Sequence, residues 1–427
     1  MDKVRIGILG AYRGTSMINY CEVSKNAKVV AICDKSDVAI ETQKENLKDP
    51  DITYYKDFED FIKHDMDAVV LANYANEHAP FAIRCMNEGK HVFSEVLPVQ
   101  TMKEAVELVE TVEKTGKIYA YGENYCYMPG TYEMKKMYEQ GIVGELEYAD
   151  AEYIHNCAPI WASITYGEHD HWRNNMTATY YCTHSIGPII HCTGLRPVSV
   201  IGVEGTNIKR GMSIGRRSGQ FGMEIITLEN KGIIRSTHGG LFRDSLWYSI
   251  YGDKGRMETA REDSFCGGVE KIYLNSIETA AAIDIPIKDK VIASFGHSGS
   301  DYHCMDNFVR KIQGDPTADI IDVYEALDMA LPGLFAYRSI LNNHVAMDIP
   351  NLRNKEERDK WRNDTMCTDK KVAGDMYVPP FSGGEVVIPD EVYDEMKRQY
   401  EADLKSQDGY AKMAFTQGQI KTDKKGK

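Results

Sequence analysis

The chain has 427 residues, which is too long for one compact domain and predicts at least two. Its composition is ordinary for a soluble globular protein, with 43% hydrophobic and 27% charged residues. The formal net charge of -14 argues against nucleic acid and anionic membrane surfaces as partners.

Two further features bear on the cellular compartment. A strand-like run begins at Val4, which leaves no room for a signal peptide, and no apolar run has the length of a membrane span. The 10 cysteines include no C-x-x-C pair, a pattern typical of reduced thiols rather than a disulfide framework. We therefore expect a cytoplasmic protein.

The first 34 residues predict a strand, a glycine turn, a helix and a second strand. Strand-like runs at 4–9 and 28–33 flank the turn, and Asp34 ends the second run. This order is typical of a dinucleotide-binding βαβ unit, in which glycines and a helix N-terminus face the pyrophosphate. Asp34 would accept hydrogen bonds from the adenosine ribose, which favours NAD over NADP, although the adjacent Lys35 weakens this preference.

The glycine turn departs from the full G-x-G-x-x-G pattern, because Tyr12 stands where the second glycine is expected. A strand, turn and helix without a ligand is the alternative for this stretch taken alone. The acid at the expected position favours the dinucleotide. The turn and the acid supply the first candidate cofactor contacts: Gly10, Tyr12, Arg13, Gly14 and Asp34.

After Asp34, predicted strands and helices alternate up to about residue 125. The strands are expected at 52–55, 68–72, 91–95 and 118–124, and the helices at 38–47, 58–64, 80–88 and 101–114. Thr101 and Glu104 match a capping box. The tyrosines at 119, 121, 125 and 127 alternate, which predicts one face of a strand. The alternation predicts a Rossmann domain with a doubly wound parallel sheet over residues 1–125, giving an α/β fold class.

The second half of the chain is rich in strands with period-two alternation. Strands are expected at 146–154, 197–204, 222–229, 232–238 and 245–251, and helices at 132–140, 301–312 and 322–342. This predicts an α+β domain over 126–350, with an open, mostly antiparallel sheet. A second subunit usually covers such a sheet, so we expect a homo-oligomer, either a dimer or a tetramer.

The last segment, 351–427, is charged and irregular apart from a predicted helix at about 390–405. We expect it to be an extension that packs on another surface or subunit.

Several motifs of the first domain carry a family resemblance. The stretches L-A-N-Y-A-N-E-H-A-P at 71–80, G-K-H-V at 89–92 and E-V-L-P at 95–98 resemble the Gfo/Idh/MocA oxidoreductases, and the resemblance covers most of residues 1–340. It implies NAD(P) on the first domain and a sugar or polyol on the open face of the second sheet. Those enzymes commonly have Glu-Lys-Pro where this chain has E-V-L-P. The lysine that assists proton transfer is therefore missing.

The chain is more closely similar to one subgroup of that superfamily, the NAD-dependent α-N-acetylgalactosaminidase-type glycosidases, which use a Glu-Val-Pro type sequence at this position. Its further motifs are Y-I-H at 153–155, W-R at 172–173, Y-C-T-H-S-I-G-P at 181–188 and G-H-S-G-S-D at 296–301. The resemblance implies oxidation of the sugar C3 hydroxyl by NAD, removal of the C2 proton, departure of the anomeric substituent, addition of water and return of the hydride. Such a route does not need the carboxylate pair of ordinary glycosidases.

The resemblance also assigns roles to individual residues. Tyr181 is the candidate base and His184 its partner or a substrate ligand, because an activated phenol and an imidazole can both move protons near neutral pH. Without the resemblance, both would be packing residues at a helix start. The candidate sugar contacts are His155, Tyr153, Trp172, Arg173 and His297. Further candidate cofactor contacts follow the strands of the first sheet, where doubly wound sheets bind ligands: Asn73, His78, Glu95 and Asn124.

The sequence is compatible with three functions: glycoside hydrolysis with recycled NAD, a simple NAD-dependent sugar or polyol dehydrogenase, and a non-catalytic sugar-binding member of the fold. The missing lysine argues against the second, and the Tyr181/His184 pair argues against the third. The sequence His169-Asp170-His171 suggests a metal, but no further ligand has suitable spacing. We expect no metal.

Overall fold

The computed structural model describes residues 2–261, 271–285 and 289–406. The first sheet consists of β1 Val4–Leu9, β2 Ala27–Cys33, β3 Thr53–Tyr55, β4 Ala68–Leu71, β5 His91–Ser94 and β6 Tyr119–Tyr121. Its six strands are parallel and lie in the order β3-β2-β1-β4-β5-β6. The predicted doubly wound parallel sheet is confirmed. The strand order reverses at β1, and ligands of such sheets bind in the crevice at this point.

The helices of the first domain are α1 Thr15–Val23, α2 Asp37–Leu47, α3 Phe58–Phe61, α4 His78–Asn87 and α5 Met102–Thr115. Every residue of β4 is buried, as expected for a parallel strand with helices on both faces of its sheet. The predicted capping box begins α5. Glu104 N donates to Thr101 Oγ1 at 3.1 Å, and Thr101 N donates to the Glu104 carboxylate at 3.2 Å.

The second sheet has nine strands in the order β14-β13-β12-β11-β7-β10-β9-β8-β15. They are β7 Leu146–Ile154, β8 Pro197–Glu204, β9 Phe221–Leu228, β10 Ile233–Gly239, β11 Ser245–Gly252, β12 Gly255–Thr259, β13 Lys271–Ser276, β14 Ala280–Asp284 and β15 Met347–Asp348. All neighbours are antiparallel except β7 and β10, which run parallel. The mostly antiparallel second sheet is therefore confirmed.

The remaining described helices lie in or after the second domain. They are α6 Pro129–Glu139, α7 Trp161–Ile164, α8 Trp172–Asn175, α9 Thr183–Thr193, α10 Lys209–Met212, α11 Lys290–Ala293, α12 Ser300–Ile312, α13 Val323–Leu341, α14 Lys355–Trp361, α15 Lys370–Ala373 and α16 Asp390–Lys405. None of them is long and apolar enough to cross a membrane.

Helices α9 and α13 cover one face of the second sheet. At Gly202 of β8, a Cβ atom would lie only 2.2 Å from the carbonyl oxygen of Ala336, so α13 packs directly on the strand. Ile201, Val203 and Ile233 point to the other face and are exposed. The second sheet is thus covered on one side and open on the other.

The C-terminal helix α16 has the predicted bounds and packs on the same chain. The Tyr400 ring meets the Tyr166 ring edge-on, with centroids 5.8 Å apart. Ser163 Oγ donates to the Asp403 carboxylate at 2.7 Å. A Cβ on Gly167 would lie 2.6 Å from the Lys397 Cα, so the two backbones approach closely. Helix α16 therefore packs against the segment around residues 163–167.

The tyrosine alternation after β6 is not one strand face. Strand β6 ends at Tyr121, and residues Asn124–Tyr127 form a 3₁₀ turn. Glu123 starts this turn, because its carboxylate accepts a hydrogen bond from Tyr125 N at 3.3 Å. The same turn places Asn124 and Tyr125 beside the second domain.

Candidate active site

Tyr12, which replaces the second glycine of the turn, lines two neighbouring cavities. The nucleotide cavity, of about 460 Å³, lies against Gly10, Asp34 and Asn73 of the first domain. The catalytic cavity, of about 280 Å³, lies between the two domains and is lined by both Glu95 and Tyr181. A dinucleotide needs two such compartments, one for each nucleoside, joined across the glycine turn.

The nucleotide cavity has the features that an adenosine ribose requires. Gly10 adopts a φ of 97°, and a Cβ there would lie 2.4 Å from the Ala72 carbonyl oxygen. The Asp34 carboxylate stands at the end of β2 and accepts hydrogen bonds from Ala11 N at 2.7 Å and Ser36 N at 2.8 Å. Burial raises its pKa, and the two backbone donors oppose that rise. The carboxylate is therefore fixed in place at the cavity wall.

Other walls of the nucleotide cavity come from further along the chain. Asn73 donates to Glu77 at 3.2 Å, and both residues line the cavity. Tyr166, Tyr400 and Leu404 close it from the side of the second domain and α16. Helix α16 thus forms part of the wall of the nucleotide cavity.

Two predicted cofactor contacts lie behind the cavities. Gly14 stands at the start of α1, where its N–H donates to the Gly10 carbonyl at 3.0 Å. His78 lines neither of the two cavities. Its Nδ1 donates to the Leu97 carbonyl at 2.9 Å, and burial lowers its pKa to about 4. We predicted that His78 contacts the cofactor; in the structure it is instead a buried neutral imidazole that supports the segment after β5.

Arg13 lies at the catalytic cavity between two carboxylates. It forms ion pairs with Glu95 at 2.7 Å and with Asp301 at 3.0 Å, so it joins the first domain to the start of α12. Burial acts to raise the pKa of Asp301, but Arg13 and His297 hold it well below its ordinary value. Asn124 Nδ2 donates to Asp301 at 2.8 Å and lies 3.0 Å from His297 Nδ1.

A buried carboxylate positions His184. Glu123 is fully buried, and its Oε1 lies 2.7 Å from His184 Nδ1. This contact leaves Nε2 as the imidazole nitrogen available for proton transfer, as with other histidines oriented by carboxylates. The Tyr125 ring lies 4.3 Å from the imidazole and the Tyr181 ring 5.0 Å, between centroids. Glu123 is thus a site residue that we did not assign from the sequence.

Tyr181 stands just before α9, next to His184 at the cavity wall. Its ring stacks with the rings of Tyr153 and Trp172, at centroid distances of 6.5 and 6.4 Å. Burial raises the pKa of the Tyr181 phenol, and the Arg173 guanidinium opposes that rise by its charge and a hydrogen bond. The half-buried Arg173 guanidinium thus favours the anionic form of this phenol, although burial keeps the pKa above its ordinary value.

The structure brings together four of the five predicted sugar contacts. These are Tyr153, His155, Arg173 and His297, which all line the catalytic cavity. The Tyr153 hydroxyl lies 3.2 Å from His155 Nδ1. Trp172 does not line that cavity; it faces a separate cavity of about 500 Å³ behind Tyr181. Its indole instead supports Tyr181 and carries the Arg173 guanidinium at 4.3 Å.

The catalytic cavity does not lie on the open face of the second sheet, contrary to expectation. Tyr153 and His238, near the ends of β7 and β10, line it and are buried. Tyr153 contacts His184 of α9 at a centroid distance of 4.8 Å. The cavity therefore lies on the helix-covered side, because α9 brings its N-terminal residues to the ends of these strands.

Further residues of the catalytic cavity were not predicted. His238 pairs with the fully buried Glu224 at 2.8 Å. Arg210 of helix α10 and Arg216, which follows this helix, enter from the segment between β8 and β9. Glu123 and His238 lie at or beyond strand ends, and that position is the signal that a sequence offers for them. The two arginines belong to no pattern in the sequence.

The His169-Asp170-His171 stretch is a helix start. His171 Nδ1 accepts from Arg173 N at 3.2 Å and so caps α8, while His169 pairs with Asp170 at 2.5 Å. Across the described ranges, no group of three His, Cys, Asp or Glu side chains is arranged to hold a metal.

Residues 4–123 match the profile of the Gfo/Idh/MocA family, which is described as an oxidoreductase family with an NAD-binding Rossmann fold. Curated relatives include the glycosyl hydrolase family 109 proteins of Shewanella sp. strain W3-18-1 and of Shewanella putrefaciens. Each is 31% identical over 202 residues, which is 44% of this chain and 44% of the relative. The match therefore spans less than half the length of these relatives.

Solved structures with the same fold cover most of the chain. The myo-inositol 2-dehydrogenase of Lactobacillus plantarum matches 82% of this chain and 100% of its own, with a TM-score of 0.65 and 16% identity. The scyllo-inositol dehydrogenase of Lactobacillus casei, with bound NAD(H) and scyllo-inositol, matches 83% and 100%, with a TM-score of 0.63 and 16% identity. The predicted resemblance to this superfamily and the two-domain fold are confirmed. The profile matched by residues 4–123 also confirms NAD as the cofactor expected of the first domain.

Proposed function

We propose that this chain, whose first domain is an NAD-binding domain of the Gfo/Idh/MocA type, hydrolyses a pyranoside through transient oxidation at C3 and elimination between C1 and C2, with NAD recycled. The observation that carries the proposal is the pairing of Tyr181 with Arg173 beside the Glu123-positioned His184, in a cavity that adjoins the nucleotide cavity. The names of the curated relatives support the same reading.

The residues present fit the cofactor. Asp34 faces the nucleotide cavity, the glycine turn separates the two compartments, and the catalytic cavity continues on the other side of Tyr12. Bound NAD would accept a hydride from the sugar C3 and later return it.

The side chains of the catalytic cavity supply the proton transfers. His184 Nε2 takes the C3 hydroxyl proton as the hydride leaves and gives it to the departing anomeric oxygen, while Glu123 holds Nδ1 and stabilises the charged ring. The Tyr181 oxygen takes the C2 proton, and Arg173 stabilises the phenolate. When water adds at C1, Tyr181 returns a proton to C2, and His184 passes the water proton to the C3 oxygen as the hydride returns. Among the described residues that line the cavity there is no lysine, the residue on which plain dehydrogenases of this type rely.

A panel of nitrophenyl glycosides of both anomers tests the function, with nitrophenol and NADH followed together. The proposal expects nitrophenol release without net NADH formation. Steady NADH formation with free sugars would instead identify a simple dehydrogenase, the activity named for the solved neighbour from Lactobacillus plantarum. A sugar-binding protein without catalysis would give neither product.

The open face of the second sheet supports self-association, and we propose that a second copy covers it. Ile201, Val203 and Ile233 are between 36% and 40% exposed on this face. Light scattering would give twice or four times the mass of the chain. A single-chain mass at micromolar concentration would contradict a homo-oligomer.

A further inference from the structure

Three arginines of the second domain line the catalytic cavity: Arg173, Arg210 and Arg216. The one carboxylate among the described residues that line this cavity is Glu95, which is paired with Arg13. The cavity wall contributed by the second domain therefore carries positive charge without acidic side chains. The chain as a whole has a net charge of -14, so this wall is a local exception.

Arg173 is accounted for by the proposed chemistry, because it bonds to Tyr181. Arg216 is not. Its side chain is almost completely buried, with 5% exposure, and its Nε donates to Ser218 Oγ at 2.9 Å. Within the described part of the chain, no carboxylate comes within ion-pair distance of this guanidinium. Burial lowers its pKa to about 10, which marks the cost of removing the charge from water.

Arg210 lies on the same wall, and its hydrogen-bond partners among the described residues are neutral. Its Nη1 donates to the Gly240 carbonyl at 3.0 Å, and its Nη2 contacts Asn156 Oδ1. Gly240 also lies against Arg216, since a Cβ on this glycine would be 3.4 Å from Arg216 Nη1. The two guanidinium groups therefore flank Gly240 at the cavity wall.

Two acidic residues in the region of these arginines, Asp244 and Glu204, have other hydrogen-bond partners. Asp244 is exposed and accepts from Asn156 N at 2.5 Å, and it does not line the cavity. The Glu204 carboxylate accepts from Gly219 N and Ser382 N, both at 3.0 Å. Glu204 acts on Arg216 through its charge, which opposes the effect of burial on the pKa, but among the described residues neither acid forms an ion pair with Arg210 or Arg216. The nucleotide cavity does not include Arg210 or Arg216, so the phosphates of a cofactor bound at the glycine turn do not explain them.

We propose that Arg210 and Arg216 form a subsite for an anionic group of the glycoside, a carboxylate or a sulfate carried on the sugar. Guanidinium groups bind both groups by paired, charge-assisted hydrogen bonds, and binding is strong where water is excluded. This substrate class rests on the proposed function, since it takes the catalytic cavity to be the place where the sugar binds. A neutral glycoside offers no charged partner to the buried Arg216 or to the half-buried Arg210 beside it.

Matched pairs of nitrophenyl glycosides test the subsite with the NAD-loaded enzyme: glucoside with glucuronide, galactoside with galacturonide, and galactoside with galactoside 6-sulfate. We expect kcat/KM for the charged member of at least one pair to exceed that of its neutral partner by about ten-fold or more. The pair that responds distinguishes the carboxylate from the sulfate. Preference for the neutral member in every pair would overturn the proposal.

Two variants assign the preference to the arginines. Arg210→Gln and Arg216→Gln should each lower kcat/KM for the charged member about ten-fold more than for the neutral member. The matched control is Arg217→Gln, because Arg217 follows Arg216 in the chain but donates to Asn175 at 2.7 Å outside the catalytic cavity. It should leave the ratio unchanged. An equal loss on both members would contradict the subsite. Arg210→Gln carries the test if the buried Arg216→Gln chain does not fold.

A binding measurement separates this inference from the proposed function. Calorimetric titration of the NAD-loaded protein uses glucuronate, galacturonate and galactose 6-sulfate, with the wild type and Arg210→Gln compared. Binding that the variant loses, in a protein that cleaves no glycoside, would uphold the subsite and reject the hydrolase. Cleavage of neutral glycosides, together with no binding of any of the three anions, would reject the subsite alone.

Discussion

The two cavities that meet at Tyr12 are built in opposite ways. The nucleotide cavity rests on backbone geometry at Gly10 and on one carboxylate, Asp34, which lies 23 residues from its partner Ala11. The catalytic cavity rests on charged and aromatic side chains from both domains. Its contacts join residues 61 positions apart, as in Glu123 and His184, or 288 positions apart, as in Arg13 and Asp301.

Because of this difference, we expect NAD affinity and the rate of glycoside cleavage to depend on different residues. The first cavity offers a preformed wall for a nucleoside, so variants there should weaken the cofactor complex and leave the chemistry intact. The second offers groups that move protons, so variants there should lower kcat and leave cofactor affinity intact. Variants of each cavity therefore test whether binding and catalysis are separate in this way.

The largest effect is expected for Tyr181→Phe, because it removes the proposed base. Catalysis by a positioned base contributes about 10²–10⁴-fold, and we expect kcat for glycoside cleavage to fall about 10³-fold with an unchanged NAD dissociation constant. Tyr180→Phe is the matched control, since the Tyr180 hydroxyl donates to the Val99 carbonyl at 2.9 Å outside the catalytic cavity. Cleavage by Tyr181→Phe at the wild-type rate would refute the assignment of the base.

Glu123→Gln should lower kcat about 10- to 100-fold. The amide keeps the shape of the side chain and its contact with His184, but it cannot stabilise the positive charge of the imidazolium. Steady-state kinetics at saturating NAD would measure the change. A variant whose kcat equals that of the wild type would show that His184 does not act as a charged proton donor.

Asp34→Ala should change the affinity for NAD rather than the rate of cleavage. Loss of a charged acceptor for the ribose hydroxyls should raise the NAD dissociation constant about 10- to 100-fold, with kcat at saturating NAD close to that of the wild type. Fluorescence titration with NAD measures the affinity. A lowered kcat with unchanged NAD affinity would place Asp34 outside the ribose site. It would also contradict the separation of cofactor binding from catalysis between the two cavities.

The smallest effect is expected for Tyr400→Ala in α16. Tyr400 lines the nucleotide cavity and packs on Tyr166, so removing its ring should open one wall and speed NAD release a few-fold. The exposed Glu401, changed to Ala, serves as the control on the same helix. Stopped-flow displacement of NAD measures the rate. Equal release from the two variants would show that α16 does not retain the cofactor.

The nucleotide half was largely predictable because its signals are local. The buried run of β1, the glycine turn and the acid at the end of β2 follow one another within 34 residues, and the structure assembles them in that order. The capping box of α5 was equally predictable, since both of its partners lie within one helical turn.

The catalytic half could be predicted only where a family motif supplied residues. Tyr181 and His184 came from such a motif, whereas Glu123 reaches His184 only through the packing of the 3₁₀ turn against α9. His238, Arg210 and Arg216 belong to no such motif. For His78 and Trp172, by contrast, a motif suggested a ligand contact that the structure does not support. They belong to recognisable stretches, but His78 bonds to Leu97 below the surface, and Trp172 supports Tyr181 from behind.

The central claim is that the C2 proton of the sugar leaves during cleavage, and its exchange with solvent tests this most directly. A glycoside that the enzyme accepts would be cleaved in D₂O, and the released sugar would be analysed by nuclear magnetic resonance. The account predicts one deuterium at C2, because Tyr181 removes the original proton and a solvent-derived deuteron replaces it. Cleavage that yields a sugar with its C2 proton intact would contradict the account.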